Sequence, residues 1–198
     1  MTTAPWRSWP THPLDQEHAL HLARLPETLE LDFEALWAAH PDRFHEVSIM
    51  GKDTPVPRWS QAYGADYHYS GRTDRAEPMS PLLAPVLAWA REQIDARFNG
   101  LLLNWYDAER KHYIGKHRDS TKGMVEHSPI VTVSLGATRP FRMRPYRRPG
   151  PFVDVEAVDR SVLLIPWETN QRWTHEVPHR AGGGRRISIT LRAFTSAT

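Results

Sequence analysis

The sequence contains no cysteine among its 198 residues and no apolar run long enough to cross a membrane. The absence of cysteine excludes disulfides, iron–sulfur clusters and thiolate nucleophiles. A membrane-spanning helix needs about 18 consecutive apolar residues, and the segment from Met1 to Trp6 lacks the basic and then apolar pattern of a signal peptide. We therefore expect a cytoplasmic protein without a membrane partner, and the length favours one compact, monomeric unit.

Acidic residues are scarce in the second half of the chain. Residues 99–198 carry 16 Lys and Arg against 9 Asp and Glu, whereas residues 1–98 carry 9 against 14. A basic half is compatible with a polyanionic partner such as a nucleic acid. It is equally compatible with acidic small molecules, so the charge distribution alone does not decide between these partners.

The hydrophobic pattern changes from helical to strand periodicity along the chain. Helices are predicted at 27–39 and 81–98, and an irregular arm at 1–26 precedes them. Strands are predicted at 47–50, within 59–69, and then at 101–106, 130–135, 141–144, 162–165 and 186–192. This order predicts an α+β protein with a sandwich or barrel core. We divide the compact unit into an N-terminal arm (1–26), a helical and substrate-recognition extension (27–98) and a strand-rich core (99–198).

The segment His117-Arg-Asp119 is the first motif that points to chemistry. On an extended segment, both side chains leave the same face of the backbone. An imidazole and a carboxylate supply two of the three ligands of a 2-His-1-carboxylate site, which holds non-haem Fe(II). The same spacing recurs in His40-Pro-Asp42, at the end of a predicted helix, and we interpret that copy as a chance match.

Two histidines compete for the third ligand position, His175 and His179. The letters from His175 to His179 match H-E-x-x-H, the zinc-protease motif, which works only on a helix. Pro178 has no amide hydrogen and would clash with the carbonyl four residues back, and Val177 before it is pushed out of helical geometry. The zinc-protease interpretation therefore fails, and the choice between the two histidines stays open on these grounds.

The predicted strand 186–192 is apolar on one face and carries an arginine at each end of the other. Arg186 and Arg192 share a face with Ser188, and Ile187 and Ile189 share the opposite one. Arginine forms planar bidentate pairs with carboxylates. A dicarboxylate bound inside the barrel would suit this face, while a half-exposed edge strand is the alternative.

Together, these motifs resemble the AlkB family of Fe(II)- and 2-oxoglutarate-dependent dioxygenases. The resemblance runs from about Val47 to Arg192, and its motifs occur in the family's order. The segments Val56-Pro-Arg58, Phe98-Asn99 and 128–139 also look like those of the animal-type members that repair DNA. The resemblance implies a double-stranded β-helix (jelly-roll) core that follows N-terminal helices and a substrate-recognition extension.

The resemblance also implies a set of ligands for Fe(II), 2-oxoglutarate and O₂. Fe(II) would be held by His117, Asp119 and His175. The distal carboxylate of 2-oxoglutarate would be held by Arg186 and Tyr106, and its carboxylate near the metal by Arg192 and Asn104. The family usually has Asn at the position of Ser188, so the contact of Ser188 with the cosubstrate is expected to be shorter or replaced by water.

The activity that the resemblance implies is oxidative demethylation of N-alkylated bases in DNA, and by extension RNA, with release of formaldehyde, succinate and CO₂. A base in a duplex must be flipped out, and apolar side chains can wedge the duplex open. The implied substrate-binding residues are Ile49, Met50 and Gly51 as the wedge, Tyr67 and Tyr69 as the aromatic clamp, and Arg118 and Thr121 beside the metal ligands. Thr121 stands where the DNA-repair members carry an acidic residue that reads the base.

Two questions stay open: the substrate class and the role of an arginine-rich segment. Because a fold does not determine a substrate, the same oxygenase chemistry could act on a small molecule or a protein side chain. The five arginines between Arg139 and Arg148 fit phosphate contacts, which would make binding sensitive to salt. They fit a solvated loop equally well.

Overall fold

The computed structural model describes residues 4–44, 46–49, 52–69, 72–179 and 183–195, with the backbone alone at 46–49, 52–54, 68–69, 72 and 74. Helices are α1 (Phe33–Ala38), α2 (Ala84–Gln93) and α3 (Trp167–Arg172), and 3-10 turns span Pro5–Ser8 and Pro81–Leu83. The strands are β1 (Thr11–Pro13), β2 (Ala19–Arg24), β3 (Glu46–Ile49), β4 (Lys52–Pro55), β5 (Trp59–Tyr63), β6 (Tyr67–Tyr69), β7 (Arg72–Asp74), β8 (Gly100–Asp107), β9 (Ile114–His117), β10 (Ile130–Gly136), β11 (Arg139–Pro145), β12 (Val153–Ala157), β13 (Ser161–Ile165), β14 (Trp173–Val177) and β15 (Arg185–Arg192).

The described strands form a seven-stranded major sheet, a four-stranded minor sheet and two hairpins. The order in the major sheet is β1-β2-β13-β10-β15-β8-β5, and in the minor sheet β12-β11-β14-β9. The hairpins are β3-β4 and β6-β7. Strand β15 lies between β10 and β8 and pairs with β8 along its whole length. The edge-strand alternative for this segment is therefore wrong.

Residue alternation gives the major sheet two different faces. On β15, Ile187 and Ile189 belong to the apolar cluster that includes Val86 and Leu87 of α2. The opposite face carries Arg186 and the other polar residues of the strand, and it lines a cavity between the major and minor sheets. The alternation read from the sequence thus predicts correctly which side chains face the site.

The two predicted helices are present as α1 and α2 but are shorter, and α3 was not predicted. Asp32 caps α1 by accepting a hydrogen bond from the amide of Ala35 at 2.9 Å. The indole of Trp105 on β8 donates to the carbonyl of Leu36 at 2.8 Å and ties α1 to the major sheet. Helix α2 ends at Gln93 because Ile94 leaves helical geometry, with φ −126°. At ten residues it is the longest helix, and no helix of the described residues is long and apolar enough to cross a membrane.

The N-terminal arm is more regular than the sequence predicts. Strand β2 pairs with β13 in antiparallel register, with Leu22 opposite Leu163, and β1 pairs with β2. Pro5 begins a 3-10 turn, and Pro10, Pro13 and Pro26 lie in or near β1 and β2 without preventing the pairing of β2. Strand β5, from the segment 27–98, likewise pairs with β8 of the core. The division into arm, extension and core stays a prediction, but each part contributes strands to one major sheet.

Gly136 at the end of β10 offers a test of the packing between α1 and the major sheet. Its φ is +82°, and an added Cβ would lie 2.5 Å from the carbonyl oxygen of Arg185 and 2.7 Å from the ring of Phe33. Gly123 has a similar φ of +74°, but its Cβ would meet no described atom within 4 Å. A positive φ costs a side chain about 1–2 kcal/mol, so both Ala variants carry that cost and only Gly136→Ala adds a backbone clash.

We expect Gly136→Ala to lower the melting temperature by several degrees more than Gly123→Ala, measured by circular dichroism. In a chain of this size, about 1 kcal/mol corresponds to roughly 2–4 °C. Equal shifts for the two variants would show that the contact with Phe33 and Arg185 is not tight.

Candidate active site

Two neighbouring strands of the minor sheet and the loop after one of them bring three possible metal ligands together. His117 ends β9, His175 lies in the middle of β14, and the two residues are directly opposite each other. Asp119 follows β9 by two residues. One donor atom of each residue lies within 4.8 Å of the others, and this is the one group among the described residues that could hold a metal ion.

Both imidazoles turn Nε2 towards the carboxylate, and a hydrogen bond sets this orientation for His117. Nδ1 of His117 lies 2.9 Å from the carbonyl oxygen of Gly115, which can only accept, so Nδ1 carries the proton and Nε2 offers a lone pair. Nε2 of His117 and Nε2 of His175 lie 3.6 and 3.8 Å from Oδ1 of Asp119. The ring of Phe141 stacks on His175 at 5.1 Å and covers the site on that side.

Asp119 is held by side chains from three other elements. Arg192 of β15 donates to Oδ2 from Nη2 at 2.5 Å and from Nε at 3.1 Å. The hydroxyl of Tyr67 donates to Oδ1 at 3.3 Å. Asn170 of α3 forms two hydrogen bonds with the backbone of Asp119. Its Oδ1 accepts from the amide of Asp119 at 3.3 Å, and its Nδ2 donates to the carbonyl of Asp119 at 3.0 Å. The carboxylate is therefore oriented by the fold itself.

The electrostatics favour the protonation states that a metal requires. Burial alone would raise the pKa of Asp119, but the Arg192 guanidinium and the two imidazoles hold that pKa well below its usual range. Burial, with His117 beside it, lowers the pKa of His175 to about 3, and burial also lowers the pKa of His117. A charged carboxylate and two neutral imidazoles are the forms that ligate a metal, so the donor set fits Fe(II).

A cavity of about 440 Å³ opens beside these three residues, and a buried arginine lies in its wall. Arg186 is fully buried and donates from Nη2 to the hydroxyl of Ser134 at 2.8 Å. Its Nε and Nη1 have no hydrogen-bond partner among the described residues. Burial lowers the pKa of Arg186, and a buried guanidinium without an anion is costly. The arrangement therefore fits a bound carboxylate.

A second polar pair lines the same cavity on the side of β8. Nε of Arg58 donates to Oδ1 of Asn104 at 2.6 Å. Because that bond occupies the amide oxygen, it sets the orientation of the Asn104 side chain and leaves Nδ2 as a donor. Both residues are buried and line the cavity. The cavity thus offers cationic and amide donors to an anionic ligand.

Residues 14–192 match the family model of the 2OG-Fe(II) oxygenase superfamily. The chain belongs to this superfamily. The matched range includes His117, Asp119 and His175, together with Arg186 and Arg192 of β15.

Several relatives of known name support a narrower placement of this oxygenase. It is 33% identical over 158 residues to the DNA oxidative demethylase ALKBH2 of Mus musculus, a match covering 74% of this chain and 66% of that one. It is 32% identical to ALKBH2 of Homo sapiens, with 74% and 60% covered. It is 34% identical to the alpha-ketoglutarate-dependent dioxygenase alkB homolog 3 of Rattus norvegicus, with 70% and 50% covered. These matches span half to about two thirds of the relatives' own lengths, and they confirm the resemblance to the AlkB family.

The solved structure of OsALKBH1 has the same fold. It superposes with a TM-score of 0.55, covers 86% of this chain and 97% of that chain, and shares 13% sequence identity. Together with the two facing sheets described above, this similarity confirms the double-stranded β-helix core with helices packed on the outside of the major sheet.

The structure of this oxygenase brings most of the predicted site residues to one cavity. Its lining includes the metal ligands His117, Asp119 and His175, the predicted cosubstrate residues Asn104, Tyr106, Arg186, Ser188 and Arg192, and the predicted substrate residues Tyr67 and Arg118. Thr121 instead lines a neighbouring groove. The side chains of Ile49 and Tyr69, and all of Met50 and Gly51, lie outside the described residues, so the wedge and the stacking clamp stay predictions.

The two other candidate histidines, His179 and His40, lie outside the site. His175 lies on a strand rather than a helix, so the rejection of the zinc-protease motif is confirmed, and His179 is exposed beyond the end of β14. His40 stacks on Trp59 at 4.0 Å and accompanies the aromatic residues under α1. Neither His40 nor His179 belongs to the group of possible metal ligands among the described residues.

The arginine-rich hairpin of β11 and β12 differs from both sequence interpretations. Arg142 pairs with Asp154 at 2.7 Å, Arg144 pairs with Glu176 at 2.8 Å, and Arg148 pairs with Asp15. Arg139 is buried and donates to two backbone carbonyl groups. Four of the five arginines are thus engaged within the fold, and Arg147 alone forms neither an ion pair nor a hydrogen bond with a described residue.

Three residues of the site were missed by reasoning from the sequence. Arg58 stood in a segment that resembles the family, but no role was predicted for it. Ser134 and Asn170 carried no signal, because a single serine on a strand and a single asparagine before a strand are common. Their roles depend on partners 52 and 51 residues away in the chain.

Removing any of the three metal ligands should abolish iron binding. We expect Ala at His117, Asp119 or His175 to weaken Fe(II) binding more than about a hundredfold, since even a residue that only supports a ligand typically contributes 10–100-fold. The measurement is metal content after anaerobic loading, together with a calorimetric titration. His179→Ala and His40→Ala are the matched controls and should bind one ion per chain. Loss of metal from His179→Ala but not from His175→Ala would contradict the assignment.

Proposed function

We propose that this oxygenase oxidatively removes alkyl groups from N-alkylated bases in DNA, and that RNA is a further substrate class. The observation that carries the proposal is the buried triad of His117, Asp119 and His175 beside a cavity lined by arginines. It occurs in a chain about one third identical to proteins named DNA oxidative demethylase. Bound Fe(II) and 2-oxoglutarate would use O₂ to hydroxylate an N-methyl group, so that formaldehyde, succinate and CO₂ are released.

The proposed roles of the cosubstrate residues follow from their free donors. Arg186, with Tyr106 beside it at 5.1 Å from guanidinium carbon to ring centroid, would bind the distal carboxylate. Arg192 already donates two of its N–H groups to Asp119, which leaves its other nitrogen for the carboxylate near the metal. Asn104 would donate to the same carboxylate from Nδ2. Ser188, two residues after Arg186 on β15, would contact the distal end of 2-oxoglutarate, directly or through water.

The apolar part of the cavity wall has a separate role. Leu102, Ile114, Phe141 and Val177 line the cavity between the polar groups. A site of several hundred Å³ with apolar walls and a few convergent polar groups is typical of small-ligand pockets. These walls exclude water from the metal and hold the cosubstrate in one orientation, while the target base enters from the open side.

On the substrate side, the proposal retains the aromatic clamp and the wedge. Tyr69 would stack on the flipped base, and Met50 with its neighbours would fill the space that the base leaves in a duplex. Thr121 offers a hydroxyl in place of an acidic residue, and Arg118 lies at the boundary between the cavity and the groove outside it. A cytoplasmic location and a monomeric state remain predictions from the sequence.

Arg186→Ala should selectively damage binding of the cosubstrate. Breaking a buried charge pair costs roughly 3–5 kcal/mol, so we expect more than about a hundredfold loss of affinity for 2-oxoglutarate, measured calorimetrically with Mn(II) in place of Fe(II). Arg186→Lys should recover part of the loss, because lysine keeps the charge without the planar fork. The matched control is Arg185→Ala, the neighbouring arginine on β15, which is exposed and pairs with Glu34 at 2.6 Å. Unchanged affinity in Arg186→Ala would refute this role.

The proposed activity is tested with a panel of methylated DNA and RNA oligonucleotides, single- and double-stranded, analysed by mass spectrometry. We expect loss of one methyl group together with one succinate formed, and no reaction in His175→Ala. If the wild type converts 2-oxoglutarate to succinate but leaves every oligonucleotide methylated, the substrate is a small molecule or a protein side chain instead.

A further inference from the structure

We propose that the strand carrying the target base is held by its phosphates in a groove outside the cavity, lined by Lys116, Arg118, Lys122, Tyr146 and Arg147. We call it the cationic groove. The inference rests on the proposed function, because it names the surface on which that nucleic acid would lie. The rest of the arginine-rich hairpin is not part of this surface, because Arg142, Arg144 and Arg148 form ion pairs within the fold.

The cationic groove leads directly out of the metal cavity. Residues 117–120 line both, so the two spaces share a wall that contains His117 and Asp119. The groove has a volume of about 770 Å³. A base placed next to the metal therefore has its sugar and phosphates at the boundary between the two spaces, and the adjoining phosphates lie along the groove.

The charges of the groove lack internal partners. Lys116, Lys122 and Arg147 are exposed, and Arg118 is partly exposed. None of the four forms an ion pair with a carboxylate in the described part of the chain, whereas Arg142 and Arg148 on the nearby hairpin do. Asp119 is the one acidic residue lining the groove, and its oxygens already accept from Arg192 and Tyr67.

Tyr146 holds two of these cations close together. The guanidinium carbon of Arg118 lies 4.0 Å from the centre of its ring, and that of Arg147 lies 5.0 Å from it. Arg118 is fixed further by donating from Nη1 to the carbonyl of Gln171 at 3.0 Å. Cation–π contacts position both guanidinium groups, but they do not neutralise them. Two like charges held on one ring favour a bound anion between or beside them.

The arrangement fits a chain of phosphates better than a single anion. Four cations line one groove, and the phosphates of a nucleic acid strand repeat at short, regular intervals, so that several phosphates can each meet a cation. Lysine and arginine both contact phosphate oxygens without reading the base. The groove would thus position any sequence, and selectivity for the alkylated base would reside in the cavity.

The test is the salt dependence of binding to an unmodified oligonucleotide, measured by fluorescence anisotropy. The variant is Lys122→Gln combined with Arg147→Asn, since Asn tolerates the positive φ of 53° at position 147. Each phosphate contact contributes about 0.7 to the slope of log K against log salt for a single strand and about 0.9 for a duplex. We expect the slope to fall by about 1.4 and 1.8 respectively.

The matched control removes the same charge from paired arginines on the hairpin, as Arg142→Gln with Arg148→Gln. It should keep the slope of the wild type, and melting temperatures verify that both variants are folded. Equal slopes for the groove variant and the wild type would refute the groove even if the wild type demethylates oligonucleotides. A reduced slope in a protein that demethylates none of them would support the groove and refute the proposed function. If the groove variant is unfolded, Lys122→Gln alone should reduce each slope by half as much, and no reduction would refute the groove.

Discussion

Asp119 and Arg192 are buried together where the minor sheet meets the major sheet, with 5% and 3% of their surfaces exposed. A buried charge is tolerated only when it is paired and hydrogen-bonded, so each residue requires the other. Asp119 follows β9 of the minor sheet and Arg192 ends β15 of the major one. The pair therefore holds the two sheets in the relative position that also places His117 and His175 around the carboxylate. A change in either sheet that moved one partner would disturb the metal ligands at the same time.

Arg186 and Arg192 of β15 show how much of the site exists before any ligand binds. Arg192 is satisfied by Asp119, and Asn170 fixes the backbone of Asp119, so the metal end of the cavity is organised by the protein alone. Arg186 has one hydrogen bond from its guanidinium, to Ser134, and two buried nitrogen atoms without a described partner. The chain thus stores an unsatisfied charge at the far end. As proposed above, a dicarboxylate that reached from the metal site to Arg186 would relieve this cost, and the position of Arg186 would then select the length of the ligand.

The parts of the site that depend on local spacing could be predicted from the sequence. Alternation along β15 put Arg186 and Arg192 on one face, and the two-residue separation of His117 and Asp119 directed both side chains to the same site. The parts that depend on partners distant in the chain could not be predicted. Asn170 gains its role only because α3 lies against the loop of Asp119, and Arg148 is neutralised by Asp15, 133 residues away. The strands of the N-terminal arm were missed for the same reason, since β2 is stabilised by pairing with β13.

The ion pairs divide the basic residues into two groups that the amino-acid composition does not distinguish: those paired within the fold and those left unpaired. The second half of the chain is rich in arginine, but Arg142, Arg144 and Arg148 neutralise carboxylates of the fold and contribute little free positive charge. Unpaired cations remain at the groove beside the metal and within the cavity wall. Because screening in water weakens charges more than about 10 Å apart, a polyanion is attracted most strongly where unpaired cations lie together. Net charge therefore indicates that an anionic partner is possible, while the pairing pattern indicates where it binds.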